Sequence, residues 1–164
     1  MIRRNFILVL ALMAAATGAE TAQAATSTTT FGVTAGVLSS CQVGATALAF
    51  ALYDPAAGSA IDAANVLTVI CTAGTTYAIG LDAGTGSGAT MAVRKMTSGT
   101  NLLNYTLYQN PGRTTVWGNT VPTDTVSAVA GILPGIINVY GRVFSGQNVP
   151  TGIYADLINV TLTY

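Results

Sequence analysis

Cys41 and Cys71 are the residues of this 164-residue sequence best suited to chemistry. In an exported chain a lone cysteine pair reads as a disulfide and not as a metal site. Its loop of roughly 30 residues would give the bridge about 3–4 kcal/mol by chain entropy. The sequence holds no histidine, which removes Ser-His-Asp and Cys-His catalysis and the commonest metal ligand. Lys95 follows Arg94 beside a glycine-rich loop, and nothing positions a nucleophile against it for a Ser–Lys dyad. Gly84-Thr85-Gly86-Ser87-Gly88-Ala89 fits G-x-G-x-x-A. No helical pattern and no acidic residue about 20 positions on accompany it, so it reads as a hairpin loop and not a dinucleotide site. The aspartates are dispersed, with neither calcium-loop spacing nor a glycosidase-type carboxylate pair. Asn104-Tyr105-Thr106 and Asn159-Val160-Thr161 match the glycosylation sequon, a pattern that often arises by chance. Most tyrosines alternate with core positions, which makes them lining and not a sugar platform. The expectation is a chain with no catalytic residue, no metal, no cofactor and no small-molecule substrate, hence no enzyme.

The elements that must position these residues are short strands. Met1-Ile2-Arg3-Arg4-Asn5, an apolar run from Phe6 to Ala16 and the small-x-small site Ala22-Gln23-Ala24 describe a secretory signal peptide over residues 1–24. The apolar run is too short to span a bilayer, and later apolar runs are broken by Gly, Thr or Asn. Residues 25–164, about 140 in all, suit one domain. Their charges are four cations, Arg94, Lys95, Arg113 and Arg142, against Asp54, Asp62, Asp82, Asp124 and Asp156. No basic patch exists, which excludes nucleic acid. A charged fraction of 7%, against about 25% ordinarily, leaves little self-repulsion between copies. Helix formers are scarce, while Gly, Thr, Val and Ala dominate with turn residues every eight to twelve positions, the pattern of an antiparallel sandwich or barrel. Period-two alternation marks strands at 65–72, 77–82, 103–108, 137–144 and 158–164. Turn clusters separate them at Asp54-Pro55, Gly84–Gly88, Asn110-Pro111-Gly112 and Gly146-Gln147-Asn148. No repeat or linker divides the domain.

The two ends complement each other. Ile158, Val160, Leu162 and Tyr164 share one face of the best-patterned strand, whose far edge is expected to lack a partner. Before Cys41, Phe31, Val33, Ala35 and Val37 fall on one face of a strand pattern, with Gly and Thr on the other. Residues 25–40 are thus a spare strand leading into the domain at 41–164. Either that strand folds back as the first strand of its own domain, or it fills an apolar groove of another copy. Such head-to-tail donation does not close and makes a fibre.

Tyr140-Gly141-Arg142-Val143-Phe144-Ser145-Gly146-Gln147, then Pro150-Thr151-Gly152-Ile153-Tyr154-Ala155-Asp156 and Val160-Thr161-Leu162-Thr163-Tyr164, resemble the spore coat protein U domain family, which includes the pilins of archaic chaperone–usher pili. Cys41-Gln42-Val43, Val69-Ile70-Cys71-Thr72 with Gly74 and Tyr77, Leu103–Tyr108 and Trp117-Gly118 support the match. The family counterpart of Ala155 is often Thr. The resemblance implies an all-β, incomplete immunoglobulin-like sandwich lacking its last strand, with an N-terminal donor strand. It implies a Cys41–Cys71 bridge, donor residues Phe31, Val33, Ala35 and Val37, and an acceptor edge at Ile158, Val160, Leu162 and Tyr164. The implied partners are other copies and related subunits, a periplasmic chaperone and an outer-membrane usher. The implied course is export, periplasmic transit and residence in an extracellular pilus for adhesion and biofilm formation. One domain points to a shaft subunit. The alternative is a self-contained secreted coat or binding module of a spore or cell surface.

Overall fold

Where apolar and polar residues alternate and a backbone partner is within reach, strands form. The computed structural model describes residues 23–164, and the chain divides into two units, Met1–Ala35 and Gly36–Tyr164. In the second unit the strands are β1 (Cys41–Ala45), β2 (Ile61–Cys71), β3 (Thr76–Leu81), β4 (Arg94–Ser98), β5 (Asn101–Tyr108), β6 (Val126–Val129), β7 (Gly135–Val143) and β8 (Val160–Thr163). One sheet runs β1-β2-β7-β5-β4 and the other β6-β3-β8, with every pairing antiparallel. Leu67 and Val69 of β2, Ile79 and Leu81 of β3, Leu103, Tyr105 and Leu107 of β5, and Val139 and Val143 of β7 form the buried core between them, with Trp117. This is the all-β sandwich that the alternation implies.

Register follows from which face is buried, because a one-residue slip would turn Leu67 and Val69 outward. β1 is held on β2 with Cys41 opposite Cys71, and a disulfide joins the two across that pair. The Asp54-Pro55 signal becomes a 3-10 turn over Pro55–Ala57, capped by the Asp54 carboxylate accepting from the Ala56 amide at 2.8 Å.

Two segments depart from the strand patterns in the sequence. The pattern over Phe31–Val37 makes no strand: residues 23–40 have no regular structure and are exposed. Alternation fits a segment for a sheet but does not itself satisfy backbone groups; a ladder partner must do that. The last strand is shorter than the 158–164 pattern. Ahead of it the backbone is held by a side chain, since Asp82 accepts from the Asn159 amide at 3.0 Å and from Asn159 Nδ2 at 2.6 Å. The expected leader at 1–24 lies outside the described residues except for Gln23 and Ala24.

Candidate functional site

The two sheets do not close along their whole length. Between them lies a groove of about 930 Å³, floored by core residues, among them Leu67, Leu81, Leu103, Tyr105, Leu107, Val139 and Val143. One wall is the run from β1 to the 3-10 turn, residues 45–53, whose Leu48, Phe50 and Tyr53 pack on the core. The other is residues 149–158 leading into β8. The first wall and the edge beyond the second offer bare backbone. Among the described residues, no backbone–backbone hydrogen bond involves residues 47–53, and β8 is an edge strand paired only with β3. A complete sandwich would fill this space with a strand bonded to the β8 edge, its alternate side chains on the floor.

Side chains fix the shape of the groove. Tyr105, on the floor, donates its hydroxyl hydrogen bond to Asp156 on the wall at 2.8 Å. The other Asp156 oxygen accepts from the Thr85 amide and hydroxyl, each at 2.8 Å. Burial first, then the hydrogen bond to Asp156, raises the Tyr105 pKa. Gly84, at φ 80°, lets the loop approach: a Cβ there would meet the Asp156 carboxylate at 2.1 Å. On the same wall, Ala155 bridges to Thr97 through backbone bonds of 2.8 and 3.0 Å. Opposite, Phe50 packs edge-on against Tyr105 with ring centroids 6.0 Å apart.

Two further arginine centres brace the sandwich. Arg94 is fully buried and donates to the carbonyls of Asp82, Met91, Leu81 and Trp117. Desolvation lowers its pKa, and the bonds to carbonyls keep the buried cation satisfied. At the outer face, Asp62 takes a two-pronged ion pair from Arg142 at 2.7 and 2.8 Å and a contact from Arg113 at 3.1 Å. The Arg142 hydrogen bond, more than any other contact, holds its carboxyl below the usual range. These groups bond to each other and to backbone. Among the described residues no cluster of three His, Cys, Asp or Glu is placed to hold a metal ion.

The structure distributes the sequence-derived site residues as follows. Cys41 and Cys71 are bonded. Val160 and Leu162 face inward on β8; Ile158 precedes the strand and lines the groove, and Tyr164 lies beyond it, exposed. Phe31, Val33 and Val37 expose 85%, 81% and 82% of their surface, and Ala35 is exposed as well. The floor residues are those that the alternation placed on core faces; what sequence reasoning passed over is the 45–53 wall. A signal for the wall was present, since Leu48 and Phe50 alternate with Ala47, Ala49 and Ala51. The Tyr105–Asp156 and Arg94 contacts join residues far apart in the chain and left no such signal.

These features define a class: an antiparallel β-sandwich with an open, apolar inter-sheet groove and an exposed, strand-patterned N-terminal segment. Residues 27–161 match the family described as Spore Coat Protein U domain, and the chain belongs to that family. It is 38% identical over 158 residues to "Protein U" of Myxococcus xanthus, covering 87% of this chain and 88% of that protein. Among solved structures, it resembles a chain in the crystal structure of the CsuC-CsuE chaperone–tip adhesion subunit pre-assembly complex from archaic chaperone-usher Csu pili of Acinetobacter baumannii. The TM-score is 0.58 at 23% identity, covering 78% of this chain and spanning 40% of the other. That likeness is one of fold.

Proposed function

We propose that this chain is a structural subunit of a bacterial surface pilus, polymerised by donor-strand exchange and serving adhesion and biofilm formation. The observation that carries the reading is the groove, whose floor is the hydrophobic core itself. Exposed apolar surface of that kind calls for an occupant. Phe31–Val37 supplies one in sequence and in length: seven residues extend about 23 Å. Its Phe and two Val side chains would release roughly 5–9 kcal/mol on burial, before the cost of ordering the segment. The matched structure is a pre-assembly complex of a chaperone with a pilus subunit, which supports a periplasmic chaperone as the first occupant; a second copy would be the final one. An outer-membrane usher would exchange the two. The subunit is exported, crosses the periplasm and ends in an extracellular fibre; its role is structural and not catalytic.

The test removes Met1–Gly36 and supplies a foreign signal peptide. The truncated subunit is expected to be exported and chaperone-bound yet to form no polymer in shed-fibre preparations. Fibres built by that truncated subunit would overturn the donor assignment. A self-contained coat module remains the rival, supported by the near full-length match to Protein U. It requires a stable solitary monomer in which residues 31–37 close their own groove, and size-exclusion chromatography without chaperone separates the two readings.

A further inference from the structure

The groove and its donor leave a second set of apolar residues unaccounted for, collected at opposite ends of the domain. At the end where β1 begins, the turn between β2 and β3 gathers two segments. Thr72 Oγ1 donates to the Leu38 carbonyl at 3.2 Å, and Ala130 exchanges backbone bonds of 2.8 and 2.9 Å with Gly74 and Thr75. From this end project Leu38, 88% exposed, with Ile132 and Leu133 of the β6–β7 connection at 93% and 76%. At the other end, the rim of the groove presents Leu52, Ile153 and Leu157, all exposed. The β1 end has no charged neighbours in its loops, since residues 37–41, 72–76 and 129–135 contain no Asp, Glu, Lys or Arg; on the rim, Asp54 lies two positions from Leu52, and Asp156 adjoins Leu157 with its carboxylate bonded to Tyr105 and Thr85. Burying these two surfaces against each other brings no ion from the β1 end, and Asp156 keeps hydrogen-bond partners within its own domain.

We propose that these ends form a second interface between successive copies of this chain, with Leu38, Ile132 and Leu133 of one copy packed on Leu52, Ile153 and Leu157 of the next. This rests on donor exchange as proposed above, and chain length makes the occupant a second copy. Val37, the last donor position, is separated from Cys41 by three residues, Leu38, Ser39 and Ser40, a tether of at most about 14 Å counted over four steps. β1 lies close beside β8, and the groove lining reaches β1 only at its last residue, Ala45, away from the disulfide, so the donating chain leaves through the opposite mouth, where the exposed rim stands. A tether that short holds the next domain's β1 end against that rim. The donor strand thus fixes which copy is neighbour, and the apolar ends fix the angle between them.

The experiment uses fibres of the full-length chain carrying Leu133→Cys together with Ile153→Cys, and in a parallel set Leu38→Cys with Leu52→Cys, after mild oxidation. Expected is a ladder of covalent multimers on non-reducing gels after boiling has released the donor strands, with each single variant stopping at dimer or below. A companion variant, Ile132→Ser with Leu133→Ser, should still polymerise but release subunits more than tenfold faster in denaturant. Fibres that form normally yet give no ladder from either pair, or a double serine variant that dissociates at the wild-type rate, would overturn the interface and leave donor exchange standing. A ladder that persists after deletion of residues 31–37 would instead overturn donor exchange, since copies would then associate without it.

Discussion

Tyr105 and Asp156 are 51 positions apart, yet their side chains meet at 2.8 Å and tie the floor of the groove to its wall. The pKa of Tyr105 is raised, chiefly by burial and then by its bond to Asp156. An unfolded tyrosine ionises near 10, so above about pH 10 the unfolded chain sheds a proton that the folded chain keeps. The stabilising contribution is therefore complete below that pH and lost as pH rises past it. Tyr105→Phe is expected to cost about 1–2 kcal/mol at pH 7, the worth of one hydrogen bond to a carboxylate. Denaturant titrations should show the gap to wild type shrinking between pH ~10 and ~11.5; a gap constant across that range refutes the assignment. None of this was legible in the sequence. Asp156 stood there as one of five dispersed acids, and Arg94 as half of a basic pair beside a loop, because their partners are set by the crossing of the sheets and not by local spacing. The cysteine pair was readable because it needed only count and compartment.

At the scale of elements, legibility tracked whether one face of a strand was buried. β2 and β7 alternate visibly because each lays one face on the core, whereas β3 and the second half of β5 are buried on both faces and still carry their large apolar side chains at every second position. β4, written Arg-Lys-Met-Thr-Ser, is an edge strand paired with β5 and bridged to Ala155 at Thr97 alone, and its polar run reads as loop. The 45–53 wall has the opposite character, strand-like in pattern but without a ladder. Its seat depends on Gly141 of β7, where a Cβ would lie 2.7 Å from the Phe50 ring and 3.2 Å from Leu48 Cδ1. Gly141→Val should push this wall off the sheet and cost about 1–3 kcal/mol, as overpacking does. Phe50→Ala alone should also destabilise, by leaving a cavity. Combined, each change relieves the other, so the double variant should be at least about 1 kcal/mol more stable than additivity allows. Chemical denaturation of the four proteins gives the cycle, and additive losses would mean that Phe50 does not rest on Gly141.

At the scale of the whole domain, the described residues form five strands in one sheet, three in the other and an open groove at the edge of the smaller. The sandwich class was legible because alternation and turn spacing report sheets; the volume of the groove was not, because it depends on how far two sheets part. If the groove is an unfilled strand position, a domain beginning at Cys41 should be stabilised by a peptide of residues 28–40 added in trans. Binding to the folded state alone raises stability by about 2.7 kcal/mol at a hundredfold excess over Kd, a rise in Tm on the order of 10 °C for a domain of this size. The pattern demands more than mere stickiness. Replacing Val33 by Asp in the peptide puts a carboxylate where an apolar side chain should be buried, and the shift should vanish. Deleting Thr34 slips the alternation by one position between Val33 and Ala35, so the two halves of the peptide can no longer both face the floor, and most of the shift should go with it. Thermal unfolding with the three peptides decides the matter: equal shifts from all of them would mean that the segment binds as a generic apolar chain, and that the open groove is not shaped for a strand at all.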